Sequence, residues 1–111
     1  MDKMIVRRLS MVSAGAAAQT VEMDAYPRHI KIEWDRFNAL VVNGDATLIE
    51  IGVKLGVSEY ILRAAKVTNV GQSITITSPC RGYGSYRPFA RFTGTAAGET
   101  LEFYAFGRIL E

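Results

Sequence analysis

The first residue of this chain to invite a catalytic interpretation is its single histidine. His29 follows Arg28, and by residue type alone either Asp24 or Asp35 could supply the acid of a Ser-His-Asp triad. No serine, however, lies in the Gly-x-Ser-x-Gly setting that exposes a nucleophile at a sharp strand-to-helix turn. We therefore expect His29 to be a solvated strand residue, and we predict no catalytic residue from it.

The second is the single cysteine, Cys80, which lies next to Arg81. A neighbouring cation favours the reactive thiolate, but a cysteine nucleophile also needs a base, and only one histidine exists. One cysteine excludes an internal disulfide and a cysteine-based zinc site. The Gly82-Tyr83-Gly84-Ser85 run precedes no helical pattern, so it is not a phosphate-binding loop. The chain is predicted to be no enzyme and to hold no metal or cofactor.

Residues 78–89 carry the strongest recognition signal. Arginine and tyrosine alternate there with glycine, proline and serine, a composition typical of binding loops because these side chains give large contact areas at modest entropic cost. The loop could contact protein, stack on sugars or meet nucleic acid, or its aromatic residues could pack back onto the domain edge. Nucleic acid is the least favoured partner because no second basic cluster extends the patch.

Composition places these residues in one globular domain. The chain has 111 residues, of which 49% are apolar and 22% charged, with a net charge of +2. This is too apolar for a disordered chain and too weakly charged to indicate a nucleic-acid partner. No apolar run approaches the roughly 20 residues of a transmembrane helix.

Period-two alternation dominates the chain and predicts strands. In residues 28–35, Ile30, Ile32 and Trp34 share one face, which predicts a buried Trp34. Turn residues recur at short intervals, and Asn43-Gly44 predicts a hairpin between residues 39–42 and 47–53. The sequence therefore predicts an all-β, single antiparallel β-sandwich, jelly-roll or Ig-like, with about seven or eight strands.

Two segments are less regular. Residues 57–66 carry a thin apolar stripe after a possible Ser58 cap, so one short helix is possible near 57–66. Residues 1–19 superficially resemble a secretory leader, but Ser10, Ser13 and Gly15 interrupt the apolar stretch. We interpret 1–19 as an N-terminal strand or arm and 20–111 as the β-sandwich domain.

Several strands are apolar on consecutive positions. Leu40 and Val41 are one example, and Tyr104 and Phe106 in the last strand flank further apolar residues. An antiparallel sheet with one wet face should alternate, so either another segment of the same chain or another copy covers the outer face. A chain of 111 residues has little spare length and closed homo-oligomers are common, so another copy is expected. The alternative is that outward aromatic residues are present because they form strands well.

The runs VVNGDATLIEIGV, VGQSITITSP and TLEFYAFGRIL together resemble small β-sandwich virion proteins of tailed bacteriophages, the decoration or cement proteins and related accessory head or tail components. The resemblance is one of pattern and covers roughly residues 28–111. It implies a structural protein that works in many copies, with no active site. Residues 1–19 would then be an arm that reaches a neighbouring subunit.

The functional hypothesis is a non-enzymatic structural protein located in the virion, which self-associates and binds other virion proteins such as the major capsid protein, with no membrane partner. The candidate contact residues are Arg81, Tyr83, Tyr86, Arg87, Tyr104 and Phe106. The alternative is a carbohydrate-binding or receptor-binding module whose platform contains Tyr26 and Trp34 beside the two loop tyrosines. A buried Trp34 would argue against that platform.

Overall fold

The described part of the chain is built from strands. The computed structural model describes residues 3–42, 47–68, 72–77, 80–83 and 86–110, with the backbone alone for 80–83. The strands are β1 (Lys3–Val12), β2 (Gln19–Glu22), β3 (Lys31–Val41), β4 (Thr47–Leu55), β5 (Ser58–Val67), β6 (Ser73–Ile76), β7 (Cys80–Tyr83), β8 (Arg87–Thr93) and β9 (Thr100–Leu110).

The strands form two antiparallel sheets. Sheet I has the order β1-β9-β3-β6, with β7 also paired to β3, and sheet II has the order β2-β8-β4-β5. β6 pairs with the second half of β3 and β7 with its first half, so the two short strands share one edge position. Each sheet therefore has four strand positions.

The order of the strands is that of a jelly roll. Successive strand positions alternate between the sheets, and β4–β5 is the one hairpin within a sheet among the described residues. An Ig-like sandwich would join more of its consecutive strands side by side, whereas eight positions connected across two sheets make a jelly roll. The predicted all-β sandwich is confirmed, in the jelly-roll form.

Two local predictions are wrong. Residues 58–67 form β5, not a helix, because they pair with β4 along their whole length. Tertiary pairing thus overrides a helical propensity that is only a weak preference. The predicted 39–42/47–53 hairpin also fails, because β3 and β4 lie in different sheets. Residues 43–46 themselves lie outside the described part of the chain.

The inner faces of the two sheets form one aromatic and aliphatic core. Phe37 and Phe103 are fully buried, and their ring centroids lie 6.2 Å apart. Trp34 is 3% exposed and packs against Phe37, so the predicted burial of Trp34 is confirmed. The core is complete within one chain.

Each sheet contains a β-bulge opposite a glycine. The register of β3 against β9 shifts between Trp34 and Arg36, beside Gly107. The register of β4 against β5 shifts at Gly52, with Leu62 as the extra residue. A Cβ at Gly107 would lie 2.5 Å from the Glu33 carbonyl oxygen, so only glycine lets the bulged backbone approach this closely.

A buried polar cluster connects the β1–β2 segment to the β8–β9 segment. The Ser13 and Thr95 hydroxyls are 2.6 Å apart, and the Gln19 amide donates to the Gly15 carbonyl at 2.8 Å. Residues 3–12 of the predicted arm form β1, which pairs with β9 from end to end. This pairing and the polar cluster fix the first strand against the last one.

Candidate functional site

The outer face of sheet I carries an open groove beside two of the predicted contact residues. Tyr104 and Phe106 are adjacent outward positions of β9, and both are half-buried. The groove measures about 430 Å³ and is lined by Arg36, Asn38, Leu40, Thr75, Glu102, Tyr104 and Phe106. The sequence expectation that apolar residues point outward from this sheet therefore holds at these positions.

Arginines cover the aromatic rings of this face. The Arg36 guanidinium lies 4.1 Å from the centre of the Phe106 ring. Arg8 lies over Tyr104, and its Nε donates to the Tyr104 hydroxyl at 3.2 Å. This hydrogen bond, followed by one to Glu102, raises the pKa of the Arg8 guanidinium above its ordinary value. Arginine stacked on an aromatic ring is a frequent feature of protein–protein contacts.

The carboxylates of the same face are already paired. Glu102 is buried and accepts a hydrogen bond from Arg8. Glu33 is also buried and accepts a hydrogen bond from Arg108 Nε at 3.0 Å. Both of these acids are therefore held in ion pairs with arginines of the same face.

Apolar side chains continue this surface onto β1. Met4 and Val6 are 69% and 62% exposed, and Val6 lies directly opposite Phe106 in the sheet. We call Met4, Val6 and Phe106 the outer strip. Met4 and Val6 expose apolar surface beside the half-buried Phe106, and adjoining apolar residues of this kind are found where another molecule covers the surface.

Not all of the remaining predicted contact residues belong to sheet I. Arg87 projects from sheet II, where its guanidinium lies 3.4 Å from Glu22 and donates to the Gly56 carbonyl. Tyr86 is half-buried just before β8. Arg81 and Tyr83 lie in β7, opposite Glu33 and Lys31. The structure describes only the backbone of these two residues. The six residues thus do not share one face.

Sequence reasoning missed a second exposed surface, at the β4–β5 hairpin. Gly56 takes a φ of +60° at the turn, and Val57 beside it is 95% exposed. We call the following residues the hairpin cluster, since all are large, apolar and exposed: Leu55, Val57, Tyr60, Ile61 and Leu62. The available signal was an apolar triplet between Glu59 and Arg63, which the helical interpretation obscured.

An ion pair on the outer face of sheet II connects β5 to β8. Arg91 of β8 donates to Glu59 and also to the Thr20 hydroxyl at 3.2 Å. The Arg91 hydrogen bond holds the pKa of the Glu59 carboxyl below its ordinary value. The folded state therefore favours the ionised form of this acid.

Acidification is expected to remove the stabilisation that this pair provides. Because the pKa of Glu59 is lower in the folded state, its contribution is complete above about pH 4.3, the ordinary pKa of glutamate, and is lost as pH falls below it. Glu59→Gln should therefore unfold at a lower temperature than the native chain near pH 6.5. The gap should close towards pH 3 in thermal unfolding followed by circular dichroism, and a gap that stays constant with pH would contradict this.

Two of the residues proposed for a sugar platform, Trp34 and Tyr26, do not present free rings. Trp34 is in the core, and Arg7 lies 4.7 Å from the centre of the Tyr26 ring while donating to its hydroxyl. His29 is exposed, as expected, but it precedes β3 in a turn instead of lying on the strand. Among the described residues, no group of three or more His, Cys, Asp or Glu side chains could hold a metal ion. The same part of the chain contains no helix with the length and apolarity to span a bilayer.

Comparison with known proteins finds similarity at the level of the fold. No protein-family model matches the chain, and no curated protein matches its sequence. Solved structures do match. One, described as "Bacillus endospore appendages form a novel family of disulfide-linked pili", is 18% identical with a TM-score of 0.55 and covers 98% of this chain and 89% of that one.

A second solved structure is dimeric latent PorU from Porphyromonas gingivalis. It is 8% identical with a TM-score of 0.50 over 99% of this chain, which spans only 13% of PorU. Identities this low establish a shared sandwich fold and nothing finer. None of these matches is a bacteriophage protein, so the phage resemblance remains one of sequence pattern.

Proposed function

We propose that this protein is a non-enzymatic structural subunit that works in many copies and is held to its neighbours by contacts between sandwiches. The observation that carries this proposal is apolar surface left over after the core is complete. Ten large apolar side chains are exposed among the described residues. Most of them belong to two groups, the β1 side of the outer strip and the hairpin cluster, instead of being scattered singly.

Simple energetics favour an assembly with more than one contact per subunit. Fully covering one large apolar side chain contributes about 1.5–3 kcal/mol, while bringing two proteins together costs about 4–15 kcal/mol. A contact that covers three or four of these partly exposed side chains is therefore weak alone. Two such contacts on each copy reinforce one another in a multivalent assembly.

The similar spore-appendage structure supports a role in polymers but differs in one respect. Its printed description is of disulfide-linked pili. This chain has a single cysteine, Cys80, so one disulfide could join two copies but could not continue from copy to copy. A polymer of this protein would therefore be held by noncovalent contacts, which fits its exposed apolar groups.

In its finer form, the proposal places the subunit in a bacteriophage particle, as a capsid decoration protein or an accessory head or tail component bound to the major capsid protein. The sequence pattern of residues 28–111 supports this setting. The jelly roll does too, since viral capsid domains commonly use it. An extracellular appendage is the other setting compatible with the same fold.

The test is the mass of the protein in solution. Sedimentation velocity from low to high micromolar concentration is expected to show species heavier than the 12.2 kDa chain. The double variant Met4→Ser, Val6→Ser should shift the distribution to smaller species while its circular dichroism stays native, because both side chains are exposed in the single chain.

The matched control for that variant is Ser10→Ala, an exposed change on the same strand, which should leave self-association unchanged. A native chain that sediments as a monomer at every concentration would refute the proposed function. If the native chain does self-associate, electron microscopy of the concentrated protein, with and without candidate capsid or appendage subunits, separates the virion setting from the appendage setting.

A further inference from the structure

We propose that β5 pairs antiparallel with β5 of a second copy, in a two-fold contact that places Glu59 opposite Lys66 at both ends. This inference rests on the proposed self-association and specifies one of its contacts. The occupant of the β5 edge is another copy of this chain, and the two sheets II then join into one continuous sheet.

β5 is a long edge strand whose second side pairs with no strand of the described residues. It is the last strand of sheet II, spans ten residues and is exposed over most of its length. Unpaired N–H and C=O groups along such an edge are a template for pairing with another chain. The apolar side chains of Tyr60, Ile61 and Leu62 interrupt its charged residues, so the middle of this edge lacks the charges that prevent such pairing.

The other edges of the sandwich fit a second copy poorly. β2, β6 and β7 have four residues each. β1 is as long as β5, but its charged residues are Lys3, Arg7 and Arg8, without an acid. Two antiparallel copies of β1 could therefore form no cross-strand pair of opposite charges, and every register that opposes two of its basic residues is destabilised.

The β-bulge in β5 decides which of its residues share a face. Glu59 and Ile61 lie opposite Lys54 and Gly52 of β4, and Ala64 and Lys66 lie opposite Glu50 and Leu48. These four β4 positions alternate with the core positions Ile49, Ile51 and Val53, so they belong to the outer face. Glu59, Ile61, Ala64 and Lys66 therefore all face outward, although residues 61 and 64 are three apart.

This facing selects one register. With Glu59 opposite Lys66 of the second copy, Ile61 lies opposite Ala64 on the same outer face, and Tyr60 lies opposite Ala65 on the inner one. Pairing Glu59 with Arg63 would bring together residues of opposite faces. Arg63 is also directed across the sandwich, where it donates to the Thr75 carbonyl at 2.8 Å.

The charges at the two ends of β5 are available for this pairing. Arg91 binds Oε2 of Glu59, so the other carboxylate oxygen can accept a hydrogen bond from the ammonium group of the second copy's lysine. Lys66 is exposed on the outer face. The two-fold axis makes each contact occur twice, so one subunit contributes an acid at one end and a base at the other.

A two-fold contact through β5 closes at a dimer, because both copies use the same surface. The outer strip lies on sheet I, away from this edge. If it forms a second contact, dimers continue into an open-ended array. The β5 pairing therefore supplies the repeating unit that the proposed structural role requires.

Charge exchange between two chains tests the register. In a homodimer of the Lys66→Glu variant, two acids face each other at both ends of the paired strands. In a homodimer of the Glu59→Lys variant, two bases face each other at both ends. The dissociation constant of either homodimer should rise at least about tenfold, because each loses two attractive pairs and gains two repulsions. An equimolar mixture should restore the dimer, because in the mixed pair every acid faces a base.

The matched control makes the same charge changes on β4, the strand that pairs with β5 inside sheet II. Glu50→Lys and Lys54→Glu change the net charge by the same amounts on the same face of β4, which the pairing does not use. Each of these variants alone, and their mixture, should keep the native dimer in sedimentation equilibrium. Weakening of the single variants with recovery in their mixture would mean that general attraction between oppositely charged variants, and not the register, explains the result.

Cross-linking gives a second readout. With Cys80→Ser in every chain, Ile61→Cys mixed with Ala64→Cys should form a disulfide-linked dimer under mild oxidation, since directly opposed strand residues have the required Cβ separation. Each variant alone should remain unlinked. No linkage in the mixture and no charge rescue would overturn the β5 pairing.

The outcomes separate this inference from the proposed function. If the native chain self-associates and the Met4 and Val6 variant dissociates it while the β5 variants have no effect, the edge pairing is wrong and the structural role stands. If the native chain is monomeric throughout, both fail.

Discussion

Replacing Phe37 with alanine is expected to lower the free energy of unfolding by about 3–5 kcal/mol, the range for removing a buried phenylalanine ring. Phe37 is fully buried in the middle of β3. Its ring centroid lies 6.2 Å from those of both Trp34 and Phe103. Because small domains are stable by only about 5–15 kcal/mol, this single change removes a large share of the total.

Urea unfolding followed by the fluorescence of Trp34 measures this effect, since the indole is adjacent to the site. Phe37→Leu is the control. It keeps an apolar side chain in the same place, so its loss should be clearly smaller. A loss below about 1 kcal/mol for the alanine variant would contradict a close-packed core at this position, where large-to-small changes are costly.

The sequence was sufficient to predict the strands that alternate. Residues 30–34 place Ile32 and Trp34 in the core, because a period of two has only one buried face and turn residues bound the segment. The apolar outward positions Tyr104 and Phe106 were likewise visible, since they interrupt that alternation. These are local patterns, and they predict local facts.

The strand partners were not predictable in the same way. Asn43-Gly44 permits a tight turn, but whether its flanking strands pair depends on the whole sandwich, and here β3 and β4 lie in opposite sheets. β5 appeared partly helical because an edge strand exposes both faces and thus has no period-two burial to reveal it. The outer strip also combines residues of β1 and β9. These strands lie at opposite ends of the sequence and become neighbours only in the folded sheet.

The bulges were the least visible feature. Leu62 is an ordinary strand residue by type, and only the register of β5 against β4 identifies it as the extra one. Gly52, the β4 residue at which the register shifts, has room for no side chain, since an added Cβ would lie 2.2 Å from the Tyr60 carbonyl oxygen and 3.1 Å from Cε1 of Phe89. The isolated glycine in an apolar strand was the available signal, and a bulge is one of its usual causes.

Gly52→Ala is therefore expected to have the second large effect, and to act on stability and assembly together. The backbone carbonyl of Tyr60 cannot rotate away as a side-chain tip can, so β5 must shift. Such overpacking costs about 1–3 kcal/mol of unfolding free energy. A displaced β5 should also lose its two-fold pairing, so the dimer should dissociate at concentrations where the native chain remains paired.

Thermal unfolding and sedimentation of the same samples measure both effects. Gly56→Asn is the matched control in the same hairpin, because no atom lies within 4 Å of its added Cβ and asparagine tolerates a positive φ better than other non-glycine residues. It should keep the native mass and nearly the native unfolding temperature. A Gly52→Ala chain that is destabilised yet still pairs through β5 would show that the bulge serves the sandwich alone. A chain of native stability would show that β5 adapts to the extra methyl group without cost.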